Sequence, residues 1–362
     1  MIREKHHHAA MGRMPLSVDF DQAPLLLIWE VTRSCELACI HCRAEAIHQR
    51  HPLELTLAEG CQLIDQVADM GTPLIIFTGG DPLQRDDLES LIAHAKQRGL
   101  RAGTIPATTP RLTRERLIAL KQAGVDQLAL SIDGETAEKH DAFRRVPGSF
   151  AKAMQAAAWI RELEVPLQVN TVFGAWNIDA FEALADLVES LGIVFWEVFF
   201  LVPTGRGTDL QSCTAEQFEA LFAKLHALSQ RAPFVVKITE GQHYRRYLRQ
   251  QAAAHPEVPA PKRMLPVAVN AGRGFCFVDH TGIVSPSGFL PIPCGQVRET
   301  GVAEIYRTHP VFKALRDPDR LTGKCGHCGH RQVCGGGSRA RAYGLTGDIH
   351  APEPFCAFVP PA

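Results

Sequence analysis

The stretch LLLIWEVTRSCELACIHC, residues 25–42, decides the fold. Its first five residues, Leu25 to Trp29, have the length and apolar character of a buried strand. The loop that follows carries Cys35, Cys39 and Cys42 in the spacing C-x3-C-x2-C. Three thiols cannot fill the four corners of a cubane, so a 4Fe-4S cluster assembled here leaves one iron open to a ligand that is not protein. A zinc site is the competing reading. Zinc sites complete four ligands locally, commonly from two C-x2-C pairs, and no fourth ligand at such spacing follows Cys42.

Outward from this loop, short β-rich runs alternate with helical periodicity as far as about residue 240, the pattern of a parallel sheet wrapped by helices. Strand candidates begin at Leu25, Pro73, Arg101, Gln127, Leu167 and Phe195, and a helical stretch follows each. Six βα units fall short of a closed eight-fold barrel and predict an open, partial (β/α)6 barrel with its functional residues at the strands' C-terminal ends. The notable motifs fall there: Cys35 after strand one, Gly79-Gly80-Asp81-Pro82 after strand two, Asp133 after strand four, and Pro203-Thr204-Gly205-Arg206-Gly207 after strand six. The expected organisation is a tail over 1–23, an α/β core over 24–240, a Pro-containing linker or cap over 241–269, and a small Gly- and Cys-rich domain over 270–362. In that last domain, clusters are expected to stand in for a hydrophobic core.

Composition bounds the partners. The chain has 362 residues, 46% hydrophobic and 21% charged, with a formal charge of -1. That balance gives no electrostatic reason to expect nucleic acid or an anionic membrane. The apolar runs Leu25–Trp29 and Ile193–Pro203 are too short to span a bilayer. The N-terminus, with His6 to His8, has no apolar core of signal-peptide length. A cytoplasmic protein is expected, and its eleven cysteines, an odd number gathered at motif spacings, argue for metal ligation over disulfides. Cys61 and Cys213 stand alone and carry no assigned role.

The three-cysteine loop resembles that of the radical S-adenosylmethionine (SAM) superfamily, with His41 at the usually aromatic position. The resemblance implies that SAM chelates the open iron. One electron from the reduced cluster would then break the sulfonium bond, and the resulting 5'-deoxyadenosyl radical would abstract a substrate hydrogen. Gly79-Gly80-Asp81-Pro82 is similar to the superfamily's GGE motif with Asp for Glu, and implies backbone contacts to the methionine ammonium. Leu130-Ser131-Ile132-Asp133-Gly134, followed by His140-Asp141 and Phe143-Arg144, resembles the ribose motif of SPASM-type members. By that likeness Ser131 and Asp133 would meet ribose or the methionine end, Arg144 would pair with the SAM carboxylate, and Asn170 would add a polar contact from strand five. An ordinary salt bridge is the alternative for Arg144.

Cys325-x2-Cys328-x5-Cys334 with Cys356 resembles a SPASM domain and implies at least one auxiliary 4Fe-4S cluster on those four thiols. Cys276 and Cys294 match the pattern's early cysteines, but the position four residues after Cys334 is Ser338. A second auxiliary cluster would therefore be absent, or held with a non-cysteine ligand such as His280. FTGGDPL (77), LVPTGRG (201) and the tail from Val333 to Cys356 resemble the branch that modifies tetrapyrrole side chains, with haem b synthase and haem d1 biosynthesis among its members. That likeness implies a small-molecule tetrapyrrole substrate and an electron donor such as flavodoxin or ferredoxin. Peptide-modifying SPASM maturases are the alternative, and an iron-sulfur or zinc regulator is the non-enzyme reading. A flat apolar ring with several carboxylates asks for a hydrophobic wall and arginines, for which Arg206, Arg273, Arg339 and Arg341, beside Tyr343, are the candidates. Bracing of the cluster loop is the alternative for Arg339 and Arg341.

Overall fold

The structure, a computed structural model, describes residues 18–257 and 269–361; residues 1–17 of the expected tail, with His6 to His8, and residues 258–268 of the expected linker lie outside the described residues. Seven parallel strands run in consecutive order: β1 (Leu26–Glu30), β2 (Leu74–Thr78), β3 (Arg101–Thr104), β4 (Gln127–Ser131), β5 (Leu167–Phe173), β6 (Phe195–Phe200) and β7 (Val235–Thr239). Strand alternation sorts their side chains. Leu27, Trp29, Ile75, Phe77, Leu128, Leu130, Val169, Trp196 and Val198 turn outward into one core with the surrounding helices, and all are fully buried. Leu26, Ile28, Gln168, Glu197 and Lys237 take the opposite face, which lines the inside of the curved sheet.

Local signals set the helices. The helix Leu57–Asp69 starts on a capping box in which Thr56 and Glu59 satisfy each other's backbone N–H groups, a device that contributes about 1 kcal/mol. It buries Leu63, Ile64 and Val67 against the outer side of the sheet.

Three expectations change. A seventh strand, β7, pairs with β6 in parallel from Phe195↔Val235 to Phe199↔Thr239, with Lys237 in its middle opposite Glu197. Residues Tyr244–Ala254 of the expected linker form a helix with Arg246 and Leu248 buried.

The cysteine-rich region also lacks a clean boundary near residue 270. After a short β8 (Asn270–Ala271), β9 (Gly274–Val278) pairs in parallel with β1, and β10 (Ile283–Ser285) and β11 (Gly295–Gln296) extend the same sheet antiparallel. Val302, Ile305, Tyr306 and Phe312 from this region join the barrel core. Apolar burial therefore contributes to holding a region in which clusters were expected to stand in for a hydrophobic core.

Candidate active site

The loop after β1 folds back on the turn after β2. Gly80 N–H donates to the Thr32 carbonyl at 2.8 Å, and Asp81 N–H to that of Ser34 at 2.7 Å. A Cβ on Gly80 would stand 2.5 Å from the Arg33 carbonyl oxygen and 2.6 Å from that of Ser34. The Gly79-Gly80 pair thus permits backbone to touch backbone, setting the start of the cysteine loop. Asp81 is buried and accepts from Leu83 N–H (3.1 Å), Ala107 N–H (3.2 Å) and the Thr109 hydroxyl (2.7 Å). It ties the ends of β2 and β3 together, and burial pushes its pKa up. Pro82 opens the short 3-10 turn Pro82–Gln84.

The loop after β6 closes the other side. Arg206 N–H donates to the Cys42 carbonyl at 3.1 Å, and its guanidinium to the carbonyls of Cys39 (Nε, 2.9 Å) and Ala46 (Nη1, 3.4 Å). This side chain was a candidate for gripping substrate; the structure makes it a brace of the cysteine loop.

Beyond β4, Asp133 is fully buried and accepts from Val172 N–H at 2.8 Å. Its other oxygen is paired with Arg144, whose Nη1 donates to Cys39 Sγ at 3.5 Å. Burial is the largest single influence and would push the Asp133 carboxyl up, but the Arg144 charge, the two nearby histidines and the Val172 N–H together outweigh it and hold the group below the usual range. Arg144 therefore makes a buried bridge between the strand-four motif and a cysteine sulfur. Ser131 and Asn170 are opposite each other in register on the lumen face, with Asn170 Oδ1 accepting from Gln168 at 2.6 Å.

The three thiols lie together in a small buried cluster with Leu37, Ala107 and Val146 around them. Burial pushes Cys35 up to about 12, with Asp81, Cys39 and Cys42 adding to the effect, so stable thiolates here need a strong cation. His41 stacks on Phe143 at 4.5 Å and Phe143 on Trp176 at 5.2 Å. Around Cys39, four buried nitrogens find no partner: His41 Nδ1, Arg144 Nε, Arg206 Nη2 and Trp176 Nε1. Each such orphan costs on the order of 1–3 kcal/mol. A site with this many is built for a polar ligand, and an iron-sulfur cluster with SAM meets that demand.

The model of the Radical SAM superfamily matches residues 29–188. An AdoMet-dependent heme synthase of Oleidesulfovibrio alaskensis is 40% identical over 98% of this chain and 92% of its own length. The chain belongs to the radical SAM superfamily. An AdoMet-dependent heme synthase of Methanosarcina barkeri is 37% identical over 93% of this chain and 97% of its own length. The SuiB enzyme of Streptococcus suis, solved with S-adenosylmethionine bound, superposes with a TM-score of 0.72 over 93% of this chain and 78% of its own, at 15% identity; it shares the fold. As a member of this superfamily the protein is an enzyme that uses a 4Fe-4S cluster and SAM for radical chemistry.

The C-terminal cysteines form a second set. Cys325, Cys328, Cys334 and Cys356 line one cavity, together with His243, Arg246 and Lys324. Among the described residues no three His, Cys, Asp or Glu side chains are placed to hold a single metal ion. The four thiols surround a space, as a multi-atom cluster requires. Gly335, Gly336 and Gly337 all take positive φ (66°, 78° and 75°), backbone that glycine adopts without strain. Burial pushes Cys334 up to about 12, and the Gly337 and Gly336 amides aimed at its sulfur oppose this. Cys328 Sγ accepts from His330 N–H at 3.4 Å. Amide donors around each sulfur are what a cluster of thiolates needs.

Cys276 and Cys294 are elsewhere. Both are buried in the apolar core on the outer side of the sheet, and burial pushes Cys294 up to about 12. His280, the candidate third ligand, is hydrogen-bonded through Nδ1 to Glu30 Oε1 at 3.0 Å. The three do not meet as a ligand set. Ser338 is fully buried and donates to Glu240. Of the remaining candidate arginines, Arg273 and Arg339 line one small cavity with Gly335 and His350, and Arg341 is not part of its lining. Arg341 is bound to Glu353 at 3.0 Å and to the Leu201 carbonyl at 3.1 Å. Arg339 is bound to the carbonyls of Ile349 (2.9 Å) and Ala351 (2.6 Å). Arg273 packs beside the Gly335 turn, and Tyr343 packs in a small apolar cluster with Val202 and Ala340.

Sequence reading passed over the charges inside the barrel. Arg43, directly after Cys42, is paired with Glu30 at 2.7 Å and lies 4.8 Å over the Phe277 ring. Lys237 on β7 is paired with Glu197 on β6 at 2.7 Å. The signal available was a charged residue at an inward position of an apolar strand.

Proposed function

We propose that this radical SAM enzyme acts on a tetrapyrrole, abstracting hydrogen from a side chain on the way to a haem-type product. The observation that carries the reading is the barrel interior. An apolar wall of Ile28, Phe199, Phe277 and Phe289 is flanked by the ion pairs Glu30–Arg43 and Glu197–Lys237, the surface a flat ring with carboxylate arms calls for. The names of the 40% and 37% identical relatives support it.

When bound, SAM and the reduced cluster supply the 5'-deoxyadenosyl radical. This chain's residues do the rest. Arg206 and Gly80 hold the cysteine loop rigid, Arg144 donates to Cys39 Sγ, and the aromatic stack of His41, Phe143 and Trp176 keeps water from one side. Burial, with the Arg144 charge adding, pulls His41 down to about 4, so the ring is neutral at physiological pH. We assign one auxiliary 4Fe-4S cluster to Cys325, Cys328, Cys334 and Cys356 and none to Cys276 and Cys294. All eleven cysteines are free thiols, and among the described residues no helix is long and apolar enough to cross a membrane. A cytoplasmic enzyme reduced by a flavodoxin or ferredoxin fits both.

Anaerobic incubation of the reconstituted enzyme with SAM, a reductant and either porphyrins or peptides tests the proposal. The expected result is 5'-deoxyadenosine formed in step with a mass loss in a porphyrin. Coupled turnover of a peptide, with no change in any porphyrin, would transfer the assignment to the peptide-modifying maturases.

A further inference from the structure

We infer that Lys237 holds a side-chain carboxylate of the substrate inside the barrel, with Glu197 as the residue that positions it; this rests on the tetrapyrrole reading above. The strand registers place Ser131, Asn170, Glu197 and Lys237 in one row across β4 to β7. Three strand spacings separate the row's ends by roughly 14 Å along the sheet. Ser131 and Asn170 stand at the end near the cysteine loop, and Lys237 at the end where the sheet stops.

The row is tied from within. Gln168 donates to Asn170 Oδ1 at 2.6 Å and to Glu197 Oε2 at 2.7 Å, while Thr239 and Lys237 both donate to Glu197 Oε1 at 2.7 Å. Glu197 is thereby fixed by three neighbours, and it fixes the ammonium in turn. An ammonium has three donors, and the bond to Glu197 uses one. The Lys237 side chain is 39% exposed, against 13% for Glu197, so its remaining N–H groups face open space.

Arg43, the opposing cation, is more fully engaged. It is paired with Glu30, stacked over Phe277, and within 3.5 Å of the Gly288 carbonyl, with its side chain 19% exposed. Lys237 is thus the interior cation best able to accept a new anion without giving up its present bond. The rival account is that an inward lysine merely blunts the edge strand β7 against unwanted pairing.

The two accounts separate in a binding titration on the full-length, anaerobically reconstituted protein. The probes are a porphyrin with four propionate side chains and its tetramethyl ester, followed by the Soret band. Removing one charged hydrogen-bond partner predicts a rise of about tenfold or more in the Kd of the acid for Lys237→Met. Binding of the ester should be unchanged, and Lys237→Arg should recover most of the loss. An unchanged acid Kd in Lys237→Met would overturn the inference and leave the tetrapyrrole reading standing. So would equal loss of acid and ester in both variants, the signature of a structural lysine. If the unaltered protein binds neither probe, the tetrapyrrole reading itself fails and the inference falls with it.

Discussion

The Ser338 hydroxyl donates a hydrogen bond to the Glu240 carboxylate, joining the C-terminal cysteine lobe to the residue that follows β7 across 98 positions of sequence. Ser338 Oγ also accepts from Arg341 N–H at 3.0 Å, and Arg341 pairs with Glu353. The position that would carry a further cysteine is occupied by a buried polar lock.

Ser338→Cys should therefore destabilise without adding a cluster. A thiol is a poor donor, and leaving Glu240 short of a partner costs about 1–3 kcal/mol. Thermal melting should show the loss, and iron analysis should still give about eight atoms per chain for two cubanes. Cys276→Val should leave the same iron count. A rise towards twelve in the serine variant, or a fall of one cubane in the Cys276 variant, would show that a second auxiliary site exists.

Arg206→Ala should act on the cysteine loop and not first on substrate. It removes guanidinium bonds to the Cys39 and Ala46 carbonyls, each worth about 1 kcal/mol or more when buried. The expected outcome is lower iron retention at the loop and several-fold slower 5'-deoxyadenosine formation even without substrate. Full cluster content with weaker porphyrin binding alone would return Arg206 to the substrate.

Gly80→Ala should uncouple fold from cluster. The added methyl meets two carbonyl oxygens at about 2.5 Å, and overpacking of this kind costs about 1–3 kcal/mol. Far-UV circular dichroism should stay native while cluster assembly on Cys35, Cys39 and Cys42 falls.

Two buried histidines set an acid limit. Burial pulls His140 down to about 4, the Arg144 charge adding to it, and pulls His243 down to about 3. Both folded values lie below the unfolded 6.5, so the stability they contribute is complete above that pH and is lost as pH falls towards 4. Each should cost on the order of 2 kcal/mol at pH 5. Urea midpoints at pH 7 and pH 5 measure this, and His140→Gln should reduce the difference. A midpoint that does not move would show that these rings titrate normally.

The legible parts of the chain were those with local periodicity. Six strands, their helices and the order of motifs along them followed from alternating apolar patterns that survive in one dimension. The seventh strand did not, although its inward Lys237 repeats the pattern of Glu197 in β6; the pairing of these two charges across neighbouring strands exists only in the fold. The helix Tyr244–Ala254 was hidden because Arg246 is buried there through Glu219 and the cysteine lobe, which no local pattern reports.

By itself the sequence determined the cysteine sets, the superfamily and the barrel, since thiol spacing and strand period are properties of neighbours along the chain. Tertiary structure alone decided which side chains were already occupied. Arg206, Arg339 and Arg341 look like free cations in the sequence, yet each is bound to carbonyls or carboxylates between 3 and 167 positions away. Burial makes that pairing obligatory, because an unpaired guanidinium in an apolar interior costs several kcal/mol. The partner that relieves this cost is found only by folding.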